Sequence, residues 1–229
     1  AKGKTVLIAT HDGSFHADET LACAVISYIH ERSEVIRSRD PQRLETADII
    51  IDVSGINDDR HFDHHSNEFN LSRPNGINYA TAGLMWLKFG DEYMRKIAQD
   101  FMTYEQRQQL TDEIFLAARE RIDREVMYAV DLNDNGQLNT WLADNVAVNN
   151  EGEQRVMDEL NEFYRYSPDI AYLVAMQNLP NVSGAEQDKN FMNTVKMLKN
   201  LLINAAVNAL YTELGIARVM SVYDGGEIL

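Results

Sequence analysis

The sequence contains a single cysteine, Cys23, among its 229 residues. One thiol cannot form an internal disulfide or a cysteine zinc site, so we expect Cys23 to be a core residue in a reducing compartment. Long apolar runs are also missing, because none approaches the roughly 20 residues that a membrane span requires. No basic start precedes an apolar stretch with a small-residue cleavage site, so secretion is not expected. We therefore predict a cytoplasmic protein without a membrane partner.

Positive charge is scarce in this chain. Only 21 Lys and Arg residues stand against 36 Asp and Glu residues, which gives a formal net charge of −15. A broad nucleic-acid surface is normally basic, because its affinity comes largely from Lys and Arg replacing condensed counterions. An anionic substrate would need a locally positive site here. Two divalent cations would supply about +4 at one point and reverse the local sign of the potential.

The order of apolar segments predicts an α/β fold with a mostly parallel sheet flanked by helices. Residues 5–10 and 48–53 are short apolar runs typical of buried strands, and residues 19–31 between them show helical spacing. The remainder of the chain is mostly helical in pattern. We predict a metal-binding α/β domain over residues 1–148 and a smaller, mainly helical C-terminal region over residues 149–229.

Local signals set expected helix boundaries in the second half of this domain. Residues 77–89 are expected to form a helix that ends at Gly90, since glycine often follows a helix C-terminus. Thr103 and Thr111 are plausible N-caps of further helices. Residues 190–214 show the clearest helical periodicity of the C-terminal region.

Histidines and aspartates cluster near the N-terminus. Five of the six histidines lie in two short groups, and no histidine follows residue 65. These five are His11, His16, His61, His64 and His65. The aspartates beside them are Asp12, Asp18, Asp52 and Asp63. Neutral imidazole and carboxylate groups together are suitable ligands for Mn²⁺, Fe²⁺ or Zn²⁺.

The positions of these residues favour a shared site. His11 follows one predicted strand directly, and Asp52 ends another. In an open parallel sheet, the carboxyl ends of adjacent strands meet at one crevice where ligands bind. A buried aspartate at such a strand end is costly unless it is paired or binds metal. The alternative is that Asp52 caps a helix and the histidines are loop residues. The sequence has no HExxH, P-loop or GxSxG motif that would indicate another type of site.

The string Asp63-His64-His65, with the His/Asp motif upstream and a strand-end aspartate, resembles the DHH phosphoesterase superfamily. The similarity is closer to its melanocyte-proliferating-gene-like exonuclease branch. That branch has a THNGxFHxDExLA motif, and residues 10–22 here read THDGSFHADETLA, with Asp12 in place of the usual asparagine. Further motifs match, in the same order, at Arg37 to Pro41, Asp52 to Gly55, Phe62 to His65, Ala80 to Leu84 and Val130 to Gly136.

The resemblance implies a metal-dependent phosphoesterase with two divalent ions, Mn²⁺ above all, that activate a water molecule. The metal ligands that it implies are His11, His16, Asp18, Asp52, His64 and Asp131, with Asp134 as the alternative to Asp131. It assigns catalytic roles to His65 and Asp52, and phosphate binding to His65. We add Arg37 and Arg39 as candidate phosphate-binding residues, although each could equally form a salt bridge with Asp40 or Asp48.

Two further residues near the motifs admit more than one interpretation. Glu19 could support the metal ligands, but acidic residues are common in the first turn of a helix for dipole reasons alone. His61 could lie just behind the ligands or be an ordinary loop residue.

Three functions are compatible with these residues. The resemblance favours a 3′–5′ exonuclease acting on RNA or short oligonucleotides. The acidic charge and the missing basic track favour instead a phosphohydrolase for a small nucleotide or polyphosphate. A non-catalytic, metal-binding regulatory protein that retains the ligands is the third possibility.

Overall fold

The computed structural model describes residues 3–66, 69–145, 148–166 and 169–223. Its sheet has four strands in the order β2-β1-β3-β4, and every neighbouring pair is parallel. The strands are β1 (Val6–Thr10), β2 (Ser33–Arg37), β3 (Ile49–Ile51) and β4 (His61–Phe62). The predicted α/β class with a parallel sheet is therefore confirmed. All four strands end at the same edge of the sheet, which becomes important for the candidate site.

Helices account for most of the remaining described chain. They are α1 (Ala17–Ile29), α2 (Pro41–Leu44), α3 (Thr81–Phe101), α4 (Tyr104–Arg107), α5 (Asp112–Ile122), a π-helix (Asp123–Met127), α6 (Tyr128–Asp134), α7 (Leu138–Asn145), α8 (Glu151–Tyr166), α9 (Ile170–Ala175) and α10 (Gly184–Val222). The expected helical C-terminal region is confirmed. None of the described helices combines the length and apolar character that crossing a membrane would require.

Helix α3 differs from its predicted bounds. It begins at Thr81 and continues through Gly90 to Phe101, so the prediction that it ends at Gly90 is wrong. Gly90 is buried, and a Cβ atom there would lie 3.0 Å from the Arg119 side chain and 3.1 Å from Trp86. The missing side chain therefore serves close packing against α5 rather than helix termination.

The threonine caps are confirmed. The Thr103 hydroxyl accepts a hydrogen bond from the Gln106 amide at 3.2 Å and begins α4. The Thr111 hydroxyl accepts one from the Ile114 amide at 3.3 Å and begins α5. Each cap satisfies a backbone donor that the first turn of a helix leaves without a partner.

The two faces of the sheet are covered unequally. Because side chains alternate along a strand, Ile8, Ile49 and Ile51 point into the main core with α1, α3, α5 and α10. Ala9 and Ile50 point to the opposite face, into a small cluster with Leu44 of α2. Cys23 lies fully buried in the main core, as expected.

Residues from both predicted regions share the main core. Phe191 and Leu202 of α10 are fully buried in the same cluster as Leu21 of α1 and Met85 of α3. The helices that follow residue 148 thus contribute directly to the environment of the N-terminal motifs. The division at residue 148 itself stays a prediction.

Candidate metal centre

The candidate metal ligands at the sheet edge follow three different strands. His11 follows β1, Asp52 follows β3, and His64 comes two residues after β4. Asp52 has a φ of 55°, in the left-handed region that a non-glycine residue seldom adopts. Its backbone amide donates to the Phe62 carbonyl at 2.8 Å. Such strained residues cluster at functional sites, and this one turns the strand end towards the neighbouring loops.

The first set of possible metal ligands combines His11, His16 and Glu19, whose ligand atoms lie within 4.8 Å of one another. The Nε2 atom of His11 is 3.0 Å from Oε1 of Glu19 and 3.7 Å from Oδ2 of Asp52. Glu19 is fully buried, and its Oε2 atom has no hydrogen-bond partner among the described residues. Of the two interpretations of Glu19, support of the metal ligands fits this position better than a simple first-turn acid. Its place three residues after His16, on the same side of the helix start, was the available signal.

The second and third sets share His64. One consists of Asp52, His64 and His65, and the other of Asp18, His64 and Asp134. The Nε2 atom of His64 lies 2.8 Å from Asp134, 3.5 Å from Asp18 and 3.7 Å from Asp52. Asp52 therefore stands between His11 on one side and His64 on the other. This placement suits a carboxylate that bridges two ions.

The start of α3 holds Asp18 in position. One Asp18 oxygen accepts a hydrogen bond from the Thr81 amide at 3.0 Å, and the other accepts one from the Ala82 amide at 2.6 Å. The positive end of the α3 dipole thus faces this carboxylate. Burial, together with the charges of Asp134 and Asp52, nevertheless raises the pKa of Asp18 well above its usual range. Burial likewise raises the pKa of Asp52, against the hydrogen bond that His65 provides.

The two candidate aspartates on α6 have different surroundings. Asp131 is fully buried, accepts a hydrogen bond from the Gly83 amide at 3.0 Å, and lies 2.7 Å from the Arg73 guanidinium. Burial raises the pKa of Asp131 to about 7, against the opposing charge of Arg73. Asp134 instead contacts His64 and belongs to the third ligand set. The structure therefore brings Asp134, rather than Asp131, together with the histidines.

The two arginines named as phosphate-binding candidates also have different surroundings. The buried Arg37 guanidinium donates to the Gly13 carbonyl at 2.5 Å and to Asp188 at 2.8 Å, and it lies over the Phe191 ring. Its partner is thus on α10, and neither Asp40 nor Asp48 contacts it. Arg39 is exposed, lies 3.4 Å from Asp12, and lines the cavity at the sheet edge.

His65 lies at the mouth of the site. Its side chain is 61% exposed, and its Nδ1 atom is 3.1 Å from Asp52 and 2.8 Å from Asp63. The hydrogen bond to Asp52 and the contact with Asp63 raise the pKa of His65 to about 9. His61 pairs instead with Asp58 at 2.9 Å. It belongs to none of the three ligand sets.

An open cavity of about 540 Å³ joins these groups, which is a size suited to a small ligand. Its lining includes His11, His16, Arg39, Asp52, His65 and Asp134. Three carboxylates, those of Asp52, Asp63 and Asp134, line it beside one guanidinium, that of Arg39, and the buried Asp18 and Glu19 belong to the adjoining ligand sets. Buried carboxylates in this number are stable only if they are paired, protonated or bound to cations. The unpaired Oε2 atom of Glu19 and the mixture of imidazole and carboxylate groups fit divalent ions of the Mn²⁺, Fe²⁺ or Zn²⁺ type.

Comparison with curated proteins finds several relatives of the MYG1 type. The chain is 37% identical over 136 residues to a MYG1 protein of Schizosaccharomyces pombe, which covers 57% of this chain and 40% of that protein. It is 34% identical over 145 residues to the MYG1 exonuclease of Mus musculus, covering 58% of this chain and 36% of the mouse protein. It is 39% identical over 101 residues to the MYG1 exonuclease of Homo sapiens, covering 39% and 27%.

The matched segment therefore spans well under half the length of these relatives. No solved structure gives a significant match to the chain. The MYG1_exonuc family model, described as "Uncharacterised protein family (UPF0160)", matches residues 7–221. Because that match covers both the candidate metal centre and the C-terminal helices, the chain belongs to the MYG1_exonuc family.

Proposed function

We propose that this chain is a metal-dependent phosphoesterase that removes nucleotides from RNA or short oligonucleotides in the 3′–5′ direction. The observation that carries this proposal is the convergence of Asp52 with His11 on one side and His64 on the other, at the carboxyl edge of a parallel sheet. The name "MYG1 exonuclease" of the mouse and human relatives supports the nuclease class. Membership of the wider DHH phosphoesterase superfamily is part of the same proposal.

We assign the candidate ligands to two positions. His11, His16 and Glu19 would hold one ion, and Asp18, His64 and Asp134 the other, with Asp52 shared between them. Divalent cations bound here would lower the pKa of an attacking water and neutralise charge on the phosphate oxygens. Mn²⁺ suits a ligand set rich in both carboxylate and imidazole groups.

The protein's own residues would bind and orient the phosphate. His65 is exposed at the cavity mouth, 3.1 Å from Asp52, where its imidazole can donate a hydrogen bond to a phosphate oxygen. Arg39 lines the same cavity and can reach the phosphate from the opposite loop. Arg37 would act differently from the earlier expectation, by holding the Gly13 carbonyl and so the loop between His11 and His16.

A small-molecule phosphohydrolase is the second candidate function. The net charge of −15 favours it, because a long nucleic acid gains little from a surface with few cationic side chains. A short oligonucleotide or a nucleotide needs only the local cations of the site. A non-catalytic metal-binding protein would be the outcome if no phosphoester is cleaved.

One assay separates these possibilities. Pure protein with Mn²⁺ is incubated with 5′-labelled RNA, a dinucleotide and pyrophosphate, in parallel with chelator. A ladder of shortened RNA supports the exonuclease, and cleavage of only the dinucleotide or pyrophosphate supports the second function. No turnover on any substrate overturns both. We expect Asp52→Asn to lower turnover by at least about a thousandfold, since it removes the carboxylate shared by both ligand positions. Asp158→Asn, on the exposed face of α8, is the matched control.

A further inference from the structure

A second cavity adjoins the candidate metal centre. It has a volume of about 530 Å³ and meets the first cavity at Gly55, which lines both. Its other lining residues include Ile56, Asn57, Phe69 and Asn70. The described residues that line it include no charged side chain, although a quarter of the chain is charged and the adjoining site is strongly acidic.

The described lining combines apolar side chains with exposed side-chain amide groups. Ile56 and Leu71 expose 47% and 42% of their surface, and the half-buried Phe69 packs against the main core. Asn57 and Asn70 are exposed residues of the same lining, and each carries a side-chain amide. The described part of the lining thus offers aliphatic side chains, an aromatic ring and two exposed amides, and it includes no charged side chain.

These features match the chemistry of a nucleobase. A base is flat and uncharged, stacks on aromatic or aliphatic side chains, and presents donors and acceptors along its edge. Asparagine amides are suited to pair with such an edge, because each carries both a donor and an acceptor. Among the described lining residues, a phosphate group or a divalent cation would find no charged partner.

The geometry connects this cavity to the phosphate position. The Gly55 amide donates to one Asp63 oxygen at 2.7 Å, and the other Asp63 oxygen lies 2.8 Å from Nδ1 of His65. Asp63 therefore links the cavity wall to the histidine that faces the phosphate. A nucleotide with its phosphate at His65 would extend its base over Gly55 into this second cavity.

We propose that the cavity around Asn57 and Asn70 binds the nucleobase of a nucleotide whose phosphate lies at the metal centre. The proposal rests on the proposed function, and it names the substrate part that this function leaves undefined. It makes the cavity a specificity-determining subsite, since base contacts here would distinguish nucleotides from other phosphoesters. An apolar peptide segment of the same family's longer chains is the competing occupant, and it would show no preference for bases.

Binding tests the proposal independently of turnover. The affinities of the four nucleoside 5′-monophosphates and of ribose 5-phosphate are measured by calorimetry in Mn²⁺. We expect at least one nucleotide to bind about tenfold or more tightly than ribose 5-phosphate, which shares the phosphate and lacks the base. Asn57→Ala and Asn70→Ala should each lower this preference by about threefold or more, while ribose 5-phosphate binding stays unchanged. Asn208→Ala, an exposed asparagine on α10, is the control.

Equal or undetectable binding of nucleotides and ribose 5-phosphate by the wild-type protein would overturn the subsite. A preference that both variants retain would also overturn it. Hydrolysis of bis(p-nitrophenyl) phosphate, which has no base, is measured alongside. Loss of that activity with a retained base preference would contradict the proposed function and leave the subsite intact. Normal hydrolysis without a base preference would support the proposed function and overturn the subsite.

Discussion

The side chain of Asn178 forms two hydrogen bonds with the backbone of Phe15, from a position 163 residues later in the chain. Its Oδ1 atom accepts from the Phe15 amide at 2.9 Å, and its Nδ2 atom donates to the Phe15 carbonyl at 2.8 Å. Phe15 lies in the loop between His11 and His16, and its ring packs edge-on against Phe191 of α10. The connection between α9 and α10, together with Phe191 of α10, therefore fixes the loop that leads to the first ligand set.

Asn178→Ala should loosen this loop without removing any metal ligand. Losing two hydrogen bonds to buried backbone should cost about 1–3 kcal/mol of unfolding free energy, and Mn²⁺ affinity should fall about tenfold. Turnover at saturating Mn²⁺ should stay near that of the wild type. Calorimetric Mn²⁺ titration and urea unfolding measure the two effects. Gln177→Ala, at the exposed neighbouring residue, should change neither quantity. Unchanged Mn²⁺ affinity in Asn178→Ala would show that the hydrogen bonds between Asn178 and Phe15 do not position the ligands.

Substitutions of the two α6 aspartates should have opposite effects. Asp134→Asn should weaken Mn²⁺ binding about tenfold or more, because it removes a carboxylate next to His64. Asp131→Asn should instead destabilise the fold by about 1–3 kcal/mol, because the buried Arg73 loses one of its carboxylate partners. Mn²⁺ titration and urea unfolding of both variants distinguish the roles. If Asp131→Asn weakens Mn²⁺ binding as strongly as Asp134→Asn, the ligand assignment on α6 is wrong.

Mn²⁺ should stabilise the protein more strongly at alkaline than at acidic pH. The pKa values of Asp18 and Asp52 are raised by burial above their ordinary value of 3.8. In the metal-free protein, the stability that these protonated carboxyls contribute is fully present at pH values below their ordinary pKa. It is lost as the pH rises through their folded-state pKa. Cations then replace protons, so binding releases protons and gains affinity with pH.

Thermal unfolding with and without Mn²⁺ measures this dependence. The rise in Tm on adding Mn²⁺ should be larger near pH 8 than near pH 5.5. Asp52→Asn should reduce the difference between the two pH values, since one titrating ligand is gone. A Tm shift that is equal at both pH values in the wild type would contradict the role of these carboxyls.

Gly83→Ala should disturb the packing of the buried Asp131 and Arg73 side chains. A Cβ atom at Gly83 would overlap the Asp131 carboxylate and lie 2.7 Å from the Arg73 guanidinium. We expect a loss of about 2 kcal/mol or more of unfolding free energy, as for other overpacked core positions. Gly215→Ala on α10, where a Cβ atom would meet nothing within 4 Å, should instead stabilise the helix by about 0.5–1 kcal/mol. Chemical unfolding of both variants tests the contrast, and equal effects would refute it.

The helix ends show how far local pattern reaches. Thr103 and Thr111 were predictable as caps, because a capping hydroxyl acts on amides only three residues away. Gly90 was misread, because its role depends on Arg119 of α5 and is invisible to any local rule. The π-helix between α5 and α6 has a similar consequence. It changes the helical phase before α6, so the choice between Asp131 and Asp134 cannot be made by counting 3.6 residues per turn.

The sequence by itself indicated a mostly parallel sheet, with His11 and Asp52 at the ends of two of its strands. These predictions depend on periodicity, which is a local property of the sequence, and on the general rule that parallel strands end at one edge of a sheet. Only the tertiary structure decided that Glu19 joins His11, that Arg37 binds Asp188, and that Asn178 holds Phe15. The contacts of Arg37 and Asn178 join segments that lie 151 and 163 residues apart in the chain, and no local spacing encodes such distances.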